Sequence, residues 1–237
     1  MKRIVSLLVS AVMLFAMTTT AFAGPQMDST MPDEAYLQYL ELRESGVLGE
    51  DITFEYWQYL LEESARLEKE LESSSEYSLV YDSSNPSAYT SYSMEAGDVF
   101  ITSSTVSSGF LGHAGISISS SSILHIAGPG EHPDTLSKNE WLNKYNKGWS
   151  KVYRHSDSSI AEDAAQWAED TYKDSDAEYV ITMDLESTDE TYCSKLVWQA
   201  YYYGHTPSAA NGPTWGVRLP YSLPDTIHNL DLVQEWL

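Results

Sequence analysis

Three short segments with strand signals constrain the fold more than any other feature of the chain. They cover residues 97–102, 113–118 and 122–127, and in the second of them every second residue from 114 to 118 is apolar. The serines at residues 119–122 leave room only for a tight connection between the second and third segments. We therefore expect these two segments to pair as antiparallel strands of a small sheet.

Helices and further strands complete an α+β pattern. The predicted helices span residues 159–172 and 192–203, with two more within residues 31–72. Shorter strands are predicted at residues 151–154 and 180–183, and three prolines predict mostly loop from Gly212 onward. The expected fold is a small, largely antiparallel sheet packed with helices and preceded by an N-terminal helical hairpin.

The first 23 residues have the features of a secretory signal peptide. Lys2 and Arg3 precede an apolar run at residues 4–17, and the small-x-small sequence at residues 21–23 is a cleavage site. The apolar run is shorter than a membrane span requires, and no later segment approaches one. We expect a secreted protein that begins near Gly24, with cell-wall association left open.

The remaining chain divides by composition. Residues 24–72 form an acidic helical hairpin, residues 73–94 a linker rich in Ser and Tyr, and residues 95–237 the main domain. The hairpin has three interpretations, namely packing against the main domain, a removable pro-segment that covers the active site, and a partner-binding arm. Deletion of residues 24–94 would separate them, because higher activity indicates inhibition and insolubility indicates packing.

The charge balance excludes one class of partner. Loss of Lys2 and Arg3 with the signal peptide changes the formal net charge from −22 to −24. Binding to nucleic acid or to an anionic membrane depends on clustered cations that neutralise phosphates, so neither partner is expected. The charge fits a dispersed extracellular protein.

Cys193 is the sole cysteine, so it has no disulfide partner within an exported chain. It is either a small buried apolar residue or a thiol kept for its chemistry. The helix predicted after Cys193 places it at the N-terminal end of an inward apolar stripe. Free backbone N–H groups and the helix dipole favour a thiolate there, which predicts a nucleophile.

His113 and His125 are candidates for the other catalytic roles. His113 shares its strand face with Gly115 and Ser117, whose small size predicts space for a substrate above the imidazole. Pairing around the serine turn would bring His125 close to His113, so that His125 could fix the tautomer of a general base. A solitary Cys at a helix start and two facing histidines together indicate acyl transfer.

Two other classes of function compete with this interpretation. Cys193, His113 and His125 could bind zinc with water as the fourth ligand, although the typical ligand spacings are absent. A non-catalytic binding module could use some of the 17 Tyr and 7 Trp residues, and slow, ordinary alkylation of the thiol would support it. We assign Trp141, Trp149 and Trp198 to the core, and no role to the remaining histidines.

Several motifs resemble the circularly permuted branch of the NlpC-type papain-like cysteine peptidases and amidases, in which His precedes Cys. These are GDVFI at residues 97–101, GHAGI at 112–116, ILHIA at 123–127 and YCSKLV at 192–197. The branch includes the YiiX/YaeF-like amidases and relatives of lecithin:retinol acyltransferase, and the resemblance covers residues 95–237. It implies that Cys193 is the nucleophile, His113 the base and His125 the third polar residue.

Two positions depart from the amidase pattern. The YiiX-like amidases more often have Glu where His125 stands, whereas the acyltransferase relatives have His. Tyr192 stands where unpermuted wall peptidases commonly have Asp. Thiol-based acyl transfer is therefore implied more firmly than amide hydrolysis.

The expected function is a cysteine hydrolase that needs no cofactor or metal and cleaves an amide through a thioester, with cell-wall peptide as the favoured substrate. The alternatives are a thiol acyltransferase or thioesterase acting on a lipid ester, and a non-catalytic wall-binding module. The backbone N–H of Cys193 is the candidate oxyanion donor. Activity is expected to follow a bell-shaped pH profile.

Overall fold

The computed structural model describes residues 34–73, 92–104 and 111–236. The predicted signal peptide and most of the predicted linker lie outside these residues. Export and the proposed domain boundaries therefore remain predictions.

A six-stranded antiparallel sheet forms the centre of the molecule, which confirms the α+β class. Its strands are β1 (Val99–Thr102), β2 (His113–Ser117), β3 (Ile123–Ile126), β4 (Pro133–Leu136), β5 (Ser150–His155) and β8 (Leu230–Trp236). Their spatial order is β4-β3-β2-β1-β5-β8. Two short strands, β6 (Glu178–Tyr179) and β7 (Glu190–Thr191), pair in parallel outside this sheet.

Helices cover the sheet and extend the core. They are α1 (Glu34–Glu44), α2 (Phe54–Ser73), α3 (Lys138–Lys144), α4 (Ser158–Tyr172), α5 (Cys193–Tyr203) and α6 (Leu223–Thr226), with a 3-10 turn at Pro220–Ser222. α5 packs against β2 and α4. Trp57, Leu60 and Leu67 recur at helical spacing, so they lie on one face of α2. That face packs into the same core as the sheet.

The two faces of the sheet bury different sets of side chains, as the alternating pattern predicted. One face, toward α5, carries Val99, Ile101, Ala114, Ile116 and Leu124. The other joins a smaller cluster with α3, made of Phe100, Ile123, Val152, Trp141 and Tyr145. The prediction of open space above His113 is wrong. Every residue of β2 is buried, because α3 covers that face of the sheet.

Two assignments from the sequence need correction, and two elements were not predicted. The strand predicted at residues 180–183 instead begins at Glu178, and Ile181 makes only an isolated bridge to Leu48. The predicted C-terminal loop contains the seven-residue strand β8, which pairs with β5. β4 and α3 were not predicted, because Pro133 argues against a strand and α3 has only seven residues.

A buried carboxylate joins the start of β1 to β5. Asp98 is fully buried, and its two oxygens accept hydrogen bonds from Arg154 at 2.7 and 2.8 Å and from the Tyr92 hydroxyl at 2.6 Å. Arg154 also pairs with the exposed Glu95. This network fixes the Gly97–Asp98 turn on which β1 depends.

Arg154→Leu should lower the free energy of unfolding by about 3 kcal/mol, because it leaves the Asp98 carboxylate buried without its cation. Urea unfolding followed by tryptophan fluorescence measures this change. Arg66→Leu is the control, because Arg66 pairs with Glu63 and Glu70 on the exposed surface of α2. Its loss should shift the urea midpoint of unfolding little. Equal midpoints for both variants would contradict a structural role for the Asp98 network.

Candidate active site

The predicted nucleophile is the first residue of a helix. Tyr192 has an extended backbone (φ −144°, ψ 165°) and its carbonyl accepts the first helical hydrogen bond, from Leu196 N–H, so α5 begins at Cys193. The residues on either side of Cys193 are fixed by Arg218. The Arg218 N–H donates to the Tyr192 hydroxyl at 2.9 Å, and the Ser194 hydroxyl donates to the Arg218 carbonyl at 2.6 Å.

The thiol is held neutral in the folded chain. Burial raises the pKa of the Cys193 thiol to about 11, and hydrogen bonds from the backbone N–H of Ala114 and from Ser194 lower it only in part. The helix position alone predicted a thiolate, but desolvation outweighs the helix terminus here. The Ala114 contact nevertheless places the sulfur beside the residue that follows His113.

The two candidate histidines are in direct contact. His113 Nε2 and His125 Nδ1 lie 2.9 Å apart, and their rings meet edge to face. The strand register pairs Ile116 with Leu124 and Ser117 with Ile123, so the histidines meet diagonally across β2 and β3. Thus the predicted His–His contact is present, although the two residues are not directly opposite.

Two aromatic residues from the region of α3 enclose the histidine pair. The Trp141 ring stacks on His113 at 5.4 Å, and the Tyr145 ring lies 4.7 Å from it. The Tyr145 hydroxyl is 3.4 Å from His125 Nδ1. Sequence reasoning missed Tyr145. The available signal was the capping box of Ser137 and Glu140, which predicts a helix that places residues 141 and 145 on one face.

These contacts constrain the tautomers. If His125 Nδ1 accepts from both His113 Nε2–H and the Tyr145 hydroxyl, it must be unprotonated, and both contacts are satisfied together. His113 then carries its proton on Nε2. Its Nδ1 is left as the nitrogen that can accept a proton.

Both imidazoles are neutral near pH 7. Burial lowers the pKa of His113 well below its ordinary value, and the nearby His125 and Lys144 lower it further. Burial likewise lowers the pKa of His125 to about 4, with a further contribution from Lys144. The resting site therefore contains a neutral thiol and a neutral imidazole, not an ion pair.

A small cleft leads to the sulfur. Its volume is about 290 Å³, counting the part open to solvent, and its apolar walls include Leu111, Ile181, Val217 and Leu219. Cys193 lines the cleft, whereas neither His113 nor His125 does. The histidines are 5 % and 2 % exposed, so they stay out of contact with the cleft.

The geometry gives little support to the zinc alternative. Within residues 34–73, 92–104 and 111–236, no cluster of three or more His, Cys, Asp or Glu residues is arranged to hold a metal ion. The donors that meet are two imidazoles and a phenol, which do not make a typical zinc site.

Alkylation of Cys193 by iodoacetamide should be slow at pH 7 and should accelerate about tenfold per pH unit toward pH 10, because only the thiolate reacts and burial raises the pKa of the thiol. Slow alkylation at pH 7 therefore does not separate a binding module from a thiol enzyme. The rate is measured by mass spectrometry of the intact protein. In protein unfolded by urea, the midpoint of the alkylation rate as a function of pH should fall toward about 8.5, the pKa of a free cysteine. Rapid alkylation with a plateau near pH 6 would instead indicate a thiolate–imidazolium pair at rest.

The sequence model of one protein family matches this chain from residue 68 to residue 234, more than two thirds of its length. That family is described as lipoprotein N-acylation protein LnsA-like. The chain belongs to the LnsA-like family. The matched segment of this LnsA-like chain contains Cys193, His113, His125 and the cleft, and it leaves α1 outside.

Two other proteins are similar to this LnsA-like chain. An uncharacterized 30.3 kDa protein of Bacillus thuringiensis is 37 % identical over 145 residues, which are 57 % of this chain and 54 % of the relative. The chain thus spans about half the length of that relative. The crystal structure of the metalloprotein yiiX from Escherichia coli aligns with a TM-score of 0.47 and 16 % identity, over 61 % of this chain and 99 % of that one.

Proposed function

We propose that this chain is an exported thiol enzyme that transfers or hydrolyses an acyl group through a thioester on Cys193. His113 is the general base and His125 is the positioning residue that holds its tautomer. The observation that carries the proposal is a helix-terminal thiol that lines a cleft and accepts a hydrogen bond from the backbone N–H of Ala114, the residue after His113, whose imidazole contacts His125. Membership of an N-acylation family supports acyl chemistry.

In the proposed reaction, His113 Nδ1 takes the proton of Cys193 as the sulfur attacks the acyl carbonyl. The backbone N–H of Cys193 stabilises the oxyanion, and the His113 imidazolium protonates the departing alcohol or amine. An acceptor amine or water then attacks the thioester, gives its proton to His113 and releases the thiol. Because both groups start neutral, proton transfer and attack occur together.

A lipid-derived acyl group is the better substrate candidate. The apolar walls of the cleft suit a hydrocarbon chain, and the family description concerns lipoprotein acylation. His125 supports the same choice, because the resemblance implied His in acyltransferases and Glu in the amidases. Cleavage of cell-wall peptide is the second candidate, supported by the resemblance of the motifs to wall amidases.

The wider proposal includes the arrangement of the chain. A permuted papain-like domain at residues 95–237 is supported by the order of elements along the chain. The strand that carries His113 precedes the helix that begins at Cys193. Residues 1–23 would direct export, and residues 24–94 would supply the helical hairpin and linker. No helix among the described residues has the length and apolarity for a membrane span.

The test is capture of the acyl-enzyme. The chain is mixed with a dioctanoyl phospholipid, without an acceptor amine, and its intact mass is measured with Cys193→Ala alongside. We expect a hydroxylamine-sensitive octanoyl adduct on the wild type alone. Release of muropeptides from peptidoglycan without a lipid adduct would favour the wall amidase. The absence of product in both assays would contradict the proposal of a thiol enzyme.

A further inference from the structure

One charged residue stands out among those that line the cleft. Arg218 is the sole charged residue among the described residues that line it. The chain as a whole has 35 acidic and 13 basic residues, so a cation at this position runs against its composition. The rest of the described lining is apolar or neutral.

The backbone of Arg218 is tied to the nucleophile. Its N–H and C=O bond the side chains of Tyr192 and Ser194, the two neighbours of Cys193. The guanidinium lies over the Trp198 ring, with Cζ 4.7 Å from the ring centroid, and donates to the Pro213 carbonyl. Any shift of Arg218 would therefore disturb the start of α5.

The guanidinium has capacity left for an acceptor. Its Nε is buried and bonds no acceptor in the described part of the chain. Arg66 and Arg154 each pair with two carboxylates, whereas no described carboxylate lies within ion-pair distance of Arg218. Burial lowers the pKa of Arg218, which shows that nearby charges do not offset the cost of desolvation. Buried donors usually have partners, so a ligand is the natural acceptor.

We propose that Arg218 binds an anionic oxygen pair of the acyl donor, namely the phosphodiester of a lipid headgroup. This inference rests on the proposed function. The planar guanidinium matches two phosphate oxygens, and the apolar walls take the acyl chain that Cys193 attacks. The site thus selects an amphiphile with one anionic group.

A purely structural role for Arg218 would leave substrate preference unchanged. Its contacts with Trp198 and Pro213 could simply hold the loop at residues 211–219. Loss of that support would slow every substrate alike. Preference between two donors with the same acyl chains therefore separates the two roles.

The experiment compares thioester formation from dioctanoyl phosphatidylglycerol and from dioctanoylglycerol. The ratio of their kcat/KM values should fall about 10- to 100-fold in Arg218→Gln, mainly through KM for the phospholipid, since the lost contacts are charge-assisted hydrogen bonds. Arg218→Lys should recover part of the ratio. Arg66→Gln, which removes the same charge elsewhere, should keep it. An unchanged ratio in Arg218→Gln would overturn the proposal.

A binding assay covers the case in which the wild type forms no thioester. Octyl phosphate and octanol are then compared as protectants of Cys193 against iodoacetamide. Stronger protection by octyl phosphate, lost in Arg218→Gln, supports the anion site even though the proposed reaction has failed. Equal protection by both ligands overturns it.

Discussion

Cys193→Ala is expected to lower acyl turnover by about 10⁴-fold or more, because it removes the atom that would form the proposed thioester and leaves only binding and oxyanion contacts. Cys193→Ser is the matched variant, since it keeps the shape but replaces the sulfur with a weaker nucleophile. Turnover is followed by release of octanoate or by transfer to an amine acceptor, whichever the wild type shows.

The fold should survive this change. The side chain is small and buried, so the loss of one sulfur should cost about 1 kcal/mol of unfolding free energy. Circular dichroism and the urea midpoint provide the control. Turnover near the wild-type rate by folded Cys193→Ala would show that the thiol has no chemical role.

His113→Ala should reduce turnover by about 10²- to 10⁴-fold, the usual contribution of a general base. Its effect should exceed that of His125→Ala, because in the proposed reaction His125 orients the base but does not take the proton. Both are compared with the wild type in the same donor assay.

His113→Gln guards against a trivial loss of packing. Its amide nitrogen matches the position of Nε2, so it can still donate to His125 Nδ1 and fill part of the space under Trp141 and Tyr145, and near-UV circular dichroism should stay close to wild type. A folded His113→Gln enzyme with wild-type activity would exclude His113 as the base. If His125→Ala lost more activity than His113→Ala, the assigned roles would be reversed.

The central strands and the start of α5 could be predicted because their signals are local. The period of two around residues 113–118 and the serine turn specify strand faces, and the apolar stripe after Cys193 specifies the helix. β8 and β4 are edge strands, whose half-buried residues alternate less clearly. Their existence depends on the neighbours they pair with.

The electrostatics of the site could not be predicted from local sequence. A helix start favours a thiolate, but the burial that raises the pKa of Cys193 comes from the sheet and from segments distant along the chain. Tyr145 and Arg218 likewise reach the site through tertiary packing. The sequence singled out Cys193, His113 and His125, whereas the cleft that Cys193 lines depends on the complete fold.

The burial of His113, out of contact with the cleft that Cys193 lines, has a kinetic consequence for the proposed reaction. Once the sulfur is acylated, bulk water has little access to the imidazole that would activate it. A neutral amine is nucleophilic by itself and needs help only to lose a proton after attack. We therefore expect a long-lived thioester intermediate that reacts with amines faster than with water. The proposed enzyme would then stay acylated until an acceptor amine binds.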